Sequence, residues 1–208
     1  MNVLVFMGFL GSGKTLGAVL YAKKYQALSG CALYSNISIE GAKPFHSIET
    51  FKEIAQESSS ILLLDEAHMD LDARSFNTNH VKFFTQLSYY LRKLRCTLFI
   101  TSPNFGDLDS RIRGITNVLA IVSKSKGKFY YDMYDIQSRR YLRTYQMEQK
   151  EAFYVAGNVY DTYAMVTPVI VPDKKDGFLD FLDELKEISE AYYRETTVAA
   201  YAATGASV

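Results

Sequence analysis

Eight residues near the start of the chain, Gly8-Phe9-Leu10-Gly11-Ser12-Gly13-Lys14-Thr15, fill every fixed position of the phosphate-binding pattern G-x-x-x-x-G-K-[ST]. Glycines let such a loop turn back tightly, so that successive backbone N–H groups surround phosphate oxygens, and a helix beginning near Gly13 adds the positive end of its dipole. Lys14 is the residue that reaches the β- and γ-phosphates. Thr15 offers a hydroxyl to Mg²⁺, an ion that keeps several waters and takes few protein ligands. The nucleotide-contacting set is therefore Gly8, Gly11, Ser12, Gly13, Lys14, Thr15 and Leu16, with ATP and Mg²⁺ as the expected ligands.

A second reactive set closes the apolar run Ile61-Leu62-Leu63-Leu64, which ends in Asp65-Glu66. Behind a phosphate loop this reads as a Walker B element: Asp65 orients the metal through its water shell, and Glu66 takes a proton from the attacking water. Neighbouring strand residues point to opposite sides, so the two carboxylates are expected to play different roles. Ala67-His68 completes the letters Asp-Glu-Ala-His, but helicases with those letters need two such domains and 208 residues allow one. Because Glu66 already fills the position of the base, His68 is expected to support the site rather than act on substrate.

The elements that must hold these residues follow from periodicity. Val3 to Met7 is a strand, and the helix after the loop carries Leu16, Val19, Leu20, Ala27 and Leu28 on one face, with Gly30 as a left-handed stop. Ala32 to Ile39 is a second strand, and Ser47 caps a short helix whose Ile48, Phe51 and Ile54 are packing residues. After the strand Ile61 to Leu64 come a polar loop, Asp70 to Asn79, and a helix from near Thr78 with Phe84, Leu87, Leu91 and Leu94 on its buried face. Cys96 to Ile100 is a strand followed by Thr101-Ser102-Pro103-Asn104, polar groups at a carboxyl end that face a ligand crevice. With the strand Val118 to Val122 the alternation predicts an α/β fold: a mostly parallel sheet flanked by helices. Beyond the basic turn Ser123 to Gly127, the alternating aromatics of Phe129 to Tyr134 and Tyr141 to Gln146 read as antiparallel strands extending that sheet. Their tyrosines are expected to pack across strands. Val166 to Val171 reads as a last extended segment, and Phe178, Phe181, Leu182, Leu185, Ile188 and Tyr192 form the apolar stripe of a terminal helix that docks on the core or on a neighbouring subunit. The expected organisation is a catalytic domain over residues 1–172, an amphipathic helix over 173–195 and a disordered tail over 196–208.

A chain of 208 residues with 48% apolar content can bury one core, and 23 basic against 23 acidic side chains leave no global positive field. The neutrality hides a segregation. Residues 172–195 hold eight acidic and four basic side chains, a net −4, so residues 1–171 carry +4. Two clusters could give that charge a nucleic-acid role: Arg92, Lys93 and Arg95 at a helix end, where cations are also ordinary dipole partners, and Lys124, Lys126 and Lys128 on the basic turn. Cys31 and Cys96 lack metal-type spacing and read as small buried hydrophobes in a reducing compartment. No basic leader with a cleavage site and no apolar run near the ~18 residues of a membrane span is present, so a soluble intracellular protein is expected.

The combination of Gly8 to Thr15, Asp65-Glu66, the strand ending in Thr101-Ser102, and Arg111-Ile112-Arg113 before another strand resembles the HerA/FtsK superfamily of DNA-pumping ATPases. In size the chain is similar to the genome-packaging ATPases of tailless icosahedral viruses. The segment Gly30 to Ile37, with Tyr34-Ser35-Asn36-Ile37, also resembles the zonula occludens toxin-like assembly ATPases of filamentous phages, and Tyr160-Asp161-Thr162-Tyr163 is similar to a segment late in the virus enzymes. The resemblance implies strand order 2-3-4-1-5, with Glu66 and Thr101 side by side opposite the γ-phosphate. Hydrolysis also needs positive charge on the γ-phosphate as the transition state forms, and Arg111 or Arg113, with Arg92 and Arg95 in reserve, is expected to supply it across a subunit boundary as an arginine finger. Thr101-Ser102 stands where the group often has Gln, and either hydroxyl is the candidate sensor.

What the resemblance implies for function is a motor that moves viral double-stranded DNA into a preformed capsid. Such a motor works as a homo-oligomeric ring of five or six copies against capsid vertex proteins, in the host cytoplasm or at the packaging vertex of the virion. An ATPase for phage assembly or extrusion is the alternative. A nucleotide kinase shares the loop, but a Glu directly after the metal-orienting Asp suits activation of water. A nucleotide-binding scaffold without turnover is the fourth reading.

Overall fold

A computed structural model describes residues 3–68, 86–161, 166, 169, 170 and 175–204. Its strands are β1 (Val3–Met7), β2 (Ala32–Ser35), β3 (Lys43–Pro44), β4 (Ser60–Leu64), β5 (Cys96–Ser102), β6 (Val118–Ser125), β7 (Lys128–Asp135) and β8 (Arg140–Glu148). They form one sheet in the order β3-β2-β4-β5-β1-β6-β7-β8. Pairing is parallel from β3 through β6 and antiparallel from β6 to β8. The order expected from the resemblance, 2-3-4-1-5, is the stretch β2-β4-β5-β1-β6, and the aromatic segments are the antiparallel extension.

The continuous apolar runs are explained by burial on both faces. In β1, Val3 and Val5 face a layer with Leu62, Leu64, Leu98 and Ile100, while Leu4 and Phe6 face a layer with Leu33, Leu63 and Phe99. Helix α1 (Lys14–Ser29) belongs to the second layer. Gly13 begins it with φ 96°, and Gly30 ends it in the left-handed region, its N–H bonding the Gln26 carbonyl. The buried face is the expected one over the first turns, where Leu16 and Val19 are buried and Leu20 packs on the core, and departs from it at the far end. Leu16, Gly17, Ala18, Val19 and Ala22 are covered, whereas Ala27 and Leu28 are exposed. The first turns lie close under β7: a Cβ on Gly17 would stand 2.0 Å from Tyr131 Cε1, so only a residue without a side chain fits there.

The other layer holds α2 (Thr50–Ile54), helical residues 86–90, α3 (Ser110–Ile115) and part of α5 (Lys175–Thr204). Ile48, Phe51 and Ile54 are fully buried, as are Leu87, Leu91 and Leu94 to within 1%. The expected helix start near Thr78, the loop Asp70 to Asn79 and Phe84 lie outside the described residues. A further helix, α4 (Gln149–Ala156), has no counterpart in the sequence reading. Of the extended segment expected over Val166 to Val171, only Val166, Val169 and Ile170 are described; Ile170 bridges Ser47.

Helix α5 docks on its own core, through Phe178, Phe181 and Leu185. It runs to Thr204, past the boundary at residue 195 where the sequence reading placed a disordered tail. Its second anchor is Arg95. That guanidinium lies 3.7 Å from the Tyr192 ring centroid and donates to the Glu57 and Ala55 carbonyls, while Lys93 O accepts from Ser189 and Tyr193. Of the basic helix end Arg92, Lys93 and Arg95, Arg95 is thus occupied in clamping the terminal helix. No helix among the described residues is long and apolar enough to cross a membrane.

Candidate active site

Parallel pairing brings the carboxyl ends of β1, β2, β4 and β5 to one edge, the position at which open α/β sheets bind ligands. β1 empties into Gly8 to Thr15, where Ser12 N–H closes the loop on the Phe9 carbonyl at 3.1 Å. Beneath it, a Cβ on Gly13 would stand 2.7 Å from Phe129 Cδ1, and Tyr131 donates its hydroxyl to the Gly13 carbonyl at 3.2 Å. Burial pushes the Tyr131 phenol above its ordinary range. The antiparallel extension therefore braces the loop from below.

Among the described residues, two groups in the loop lack adequate partners. Ser12 Oγ is buried with no hydrogen bond to any of them. The Lys14 ammonium, 4% exposed, has only a 3.4 Å contact to the Phe9 carbonyl and stands 3.9 Å from Glu66 Oε1. A nearly buried ammonium served this thinly fits a ligand that brings negative charge and acceptor oxygens, which is what phosphates supply.

Opposite the loop, β4 ends at Leu64 and the two carboxylates occupy the turn after it. Asp65 Oδ1 accepts from Thr15 Oγ1 at 2.8 Å and from Thr101 Oγ1 at 2.7 Å. Thr15 and Asp65 thus pair two hard oxygen donors from different elements, a set that suits Mg²⁺. Glu66 has φ 49°, left-handed backbone that is uncommon for a non-glycine residue. The expected separation of the carboxylates is achieved by this turn, not by strand alternation. Glu66 N–H is held by Thr101 Oγ1 at 2.9 Å and Ala67 N–H by the Thr101 carbonyl at 3.1 Å. Glu66 is left facing Lys14 on one side and His68 Nδ1, 3.2 Å from its Oε2, on the other. His68 accordingly flanks the Glu66 carboxylate.

Thr101 is fully buried, and its hydroxyl is spent between Asp65 and the Glu66 N–H. Ser102, equally buried, donates to the Asn104 carbonyl at 2.9 Å. Leu16 is 3% exposed under the loop. Tyr160 is brought in by an antiparallel bridge to Ile39, and burial together with the nearby Asp65 charge raises its phenol. The Asn36 amide holds both the N–H and the carbonyl of Asp65, a role that side-chain type and spacing in the sequence do not show.

Arg111 and Arg113 lie on α3, where Asp109 caps the helix by accepting from Arg111 N–H at 2.9 Å and lies 3.8 Å from the Arg111 guanidinium. Ile112 anchors the helix fully buried. The helix leads into Asn117, which hydrogen-bonds Val3 at the entry end of β1, the end of the strand away from Gly8. Arg113 Nε is buried with no partner among the described residues. Among the basic groups of the β6–β7 hairpin, Lys128 pairs with Glu148 at 3.0 Å, while Lys124 and Lys126 are exposed.

No family model matches this sequence, and no curated protein sequence matches it. Solved structures do match in fold. The N-terminal domain of zonular occludens toxin from Neisseria meningitidis is similar with a TM-score of 0.55 at 16% identity, over 77% of this chain and 98% of that one. The genome packaging NTPase B204 from Sulfolobus turreted icosahedral virus 2, in complex with ATP-gammaS, is similar with a TM-score of 0.51 at 11% identity, over 69% of this chain and 96% of that one. With the sheet order and the loop, these place the chain in the P-loop NTPase fold.

Proposed function

We propose that this chain is an ATP-hydrolysing motor that moves viral double-stranded DNA into a preformed capsid, acting as a ring of five or six copies at the packaging vertex. The observation that carries the hydrolytic part is the convergence of Lys14, Thr15, Asp65, Glu66 and Thr101 at one sheet edge. Lys14 and the loop N–H groups bind the phosphates. Thr15 and Asp65 would hold Mg²⁺, which when bound neutralises phosphate charge. Glu66 accepts the proton of the attacking water while Thr101 fixes its backbone, and His68 keeps the far side of the carboxylate occupied.

The DNA part is supported by the fold's similarity to a protein described as a genome packaging NTPase, and by Lys124 and Lys126 on a hairpin that touches the loop through Phe129. Phosphate contacts by these lysines are independent of sequence. Because α3 lies toward the entry end of β1, Arg111 or Arg113 would reach a γ-phosphate only on a neighbouring copy, as a ring supplies. The second reading, an ATPase for filamentous phage assembly or extrusion, is favoured by Tyr34-Ser35-Asn36-Ile37.

The deciding experiment is phosphate release with and without long duplex DNA, alongside the oligomeric mass. Stimulation by DNA in a ring-sized assembly is expected. Hydrolysis indifferent to DNA would remove the packaging reading in favour of the assembly ATPase, and no hydrolysis would leave a scaffold.

A further inference from the structure

We infer that Asn36 is a positioning residue for the metal-orienting carboxylate, so that the end of β2 sets the Mg²⁺ requirement of the site; the inference rests on the ATPase reading above. β2 and β4 pair in parallel as far as Ser35 opposite Leu63. At Asn36 the main-chain N–H still donates to the Leu63 carbonyl at 3.4 Å, and beyond that bond the side chain takes over. Asn36 Oδ1 accepts the Asp65 N–H at 2.8 Å, and Asn36 Nδ2 donates to the Asp65 carbonyl at 3.0 Å. A primary amide presents the same donor and acceptor as a peptide, so Asn36 prolongs the ladder across Asp65 after the β2 strand has ended.

The surroundings make this a constraint. Asn36 is 1% exposed, and the turn after β2 is fixed by Ile37 N–H donating to Ser35 Oγ at 3.2 Å. Asp65 is thereby held by its peptide from the β2 side and by its carboxylate from Thr101 on the β5 side. Those two restraints aim Oδ1 at Thr15, 2.8 Å away on α1. Asn36 touches neither the phosphate loop nor a reacting atom in these contacts, so its loss should leave the phosphate cradle intact and loosen the metal-facing pair. Partners one step removed from a metal commonly change its affinity by about 10- to 100-fold.

The test uses the full chain and a fluorescent methylanthraniloyl-ATP, titrated at equilibrium without Mg²⁺ and then with increasing Mg²⁺, in wild type, Asn36→Ala and Asn36→Asp. Asn36→Asp keeps the side chain's size and its acceptor but sets an oxygen against the Asp65 carbonyl, and it guards against a cavity that unfolds the alanine variant. The expected result is Mg²⁺-free nucleotide affinity within about 3-fold of wild type, with the Mg²⁺ concentration for half effect raised about 10-fold or more. Equal Mg²⁺ requirement in all three proteins overturns the assignment. So does an equal loss of affinity with and without Mg²⁺, which is the pattern of general structural damage. Wild type that binds Mg²⁺ and nucleotide but never releases phosphate overturns the ATPase reading instead, and the Asn36 shift can still be read from binding.

Discussion

At the carboxyl ends of β1, β2, β4 and β5, the polar side chains of Lys14, Asn36, Asp65 and Thr101 are 7% exposed or less, whereas on β6 to β8 Lys124, Lys126, Arg140 and Arg143 stand in solvent. The two regions share one sheet. They differ in what their polarity costs. A buried ammonium or carboxylate is unfavourable unless the surroundings match it, so Lys14 and Asp65 persist only in a structure built around them and their ligand. An exposed lysine costs almost nothing, and its presence discriminates poorly between a binding surface and plain solubility. The difference predicts which substitutions act through chemistry, which through packing and which through long-range charge.

The largest effects belong to the buried set. Lys14→Ala is expected to lose nucleotide binding in an equilibrium titration, and Glu66→Gln to bind ATP normally while phosphate release falls about 100-fold, because an amide cannot accept the water's proton. Near wild-type turnover in Glu66→Gln would show that this carboxylate is not the base and that another residue takes the water's proton.

Packing comes next. The Tyr131 ring occupies the space a Gly17 side chain would need, with Cε1 at 2.0 Å from an added Cβ. Gly17→Ala is therefore expected to destabilise by about 1–3 kcal/mol in denaturant unfolding, and a second change, Tyr131→Leu, to restore part of that loss. Arg143→Ala on the open hairpin should stay within about 0.5 kcal/mol of wild type. Equal costs at the two positions would mean that the extension does not press on α1.

Long-range charge is a smaller effect per residue. Replacing Lys124 and Lys126 with Ala should lower the log–log salt slope of duplex DNA binding by about 0.9 per phosphate contact removed. Arg95→Ala should leave that slope alone and lower stability instead, since its guanidinium is engaged with Tyr192 and two carbonyls. A slope that falls with Arg95 and not with the lysines would reverse this assignment.

The same contrast explains what could be read from the sequence. That Gly8 to Thr15 and Asp65-Glu66 would meet at one sheet edge was legible because a phosphate-binding pattern fixes residue types at fixed spacing, and the parallel core because its strands are apolar on both faces. On α1 the periodicity holds for Leu16, Val19 and Leu20 and fails at Ala27 and Leu28, and it could not reveal that β7 comes so close to Gly17 that no side chain fits there. Arg95 looked like surface charge because its partners, Tyr192 and the Ala55 and Glu57 carbonyls, are far away in sequence. Asn36 was invisible as a positioning residue for the same reason, its bond to Asp65 spanning 29 positions.

The finest test of the comparison is a single hydroxyl at the seam between the two regions. Tyr131 belongs to the antiparallel extension, yet its phenol donates to the Gly13 carbonyl at 3.2 Å, where the loop becomes α1. Tyr131→Phe removes only that bond and keeps the ring that packs on Gly17, so a cost of about 0.5–1.5 kcal/mol is expected, the usual net value of one neutral hydrogen bond. If the bond does no more than stabilise the fold, the loss appears in unfolding and nucleotide affinity stays put. If the extension also holds the loop in its binding shape, affinity should fall by about 2- to 10-fold with Mg²⁺ present, since the same energy is then withdrawn from the phosphate-binding conformation. Isothermal titration of Tyr131→Phe beside its denaturation curve separates the two. Unchanged affinity and unchanged stability together would show that the seam is not a brace, and that the phosphate loop keeps its shape from β1 and α1 alone.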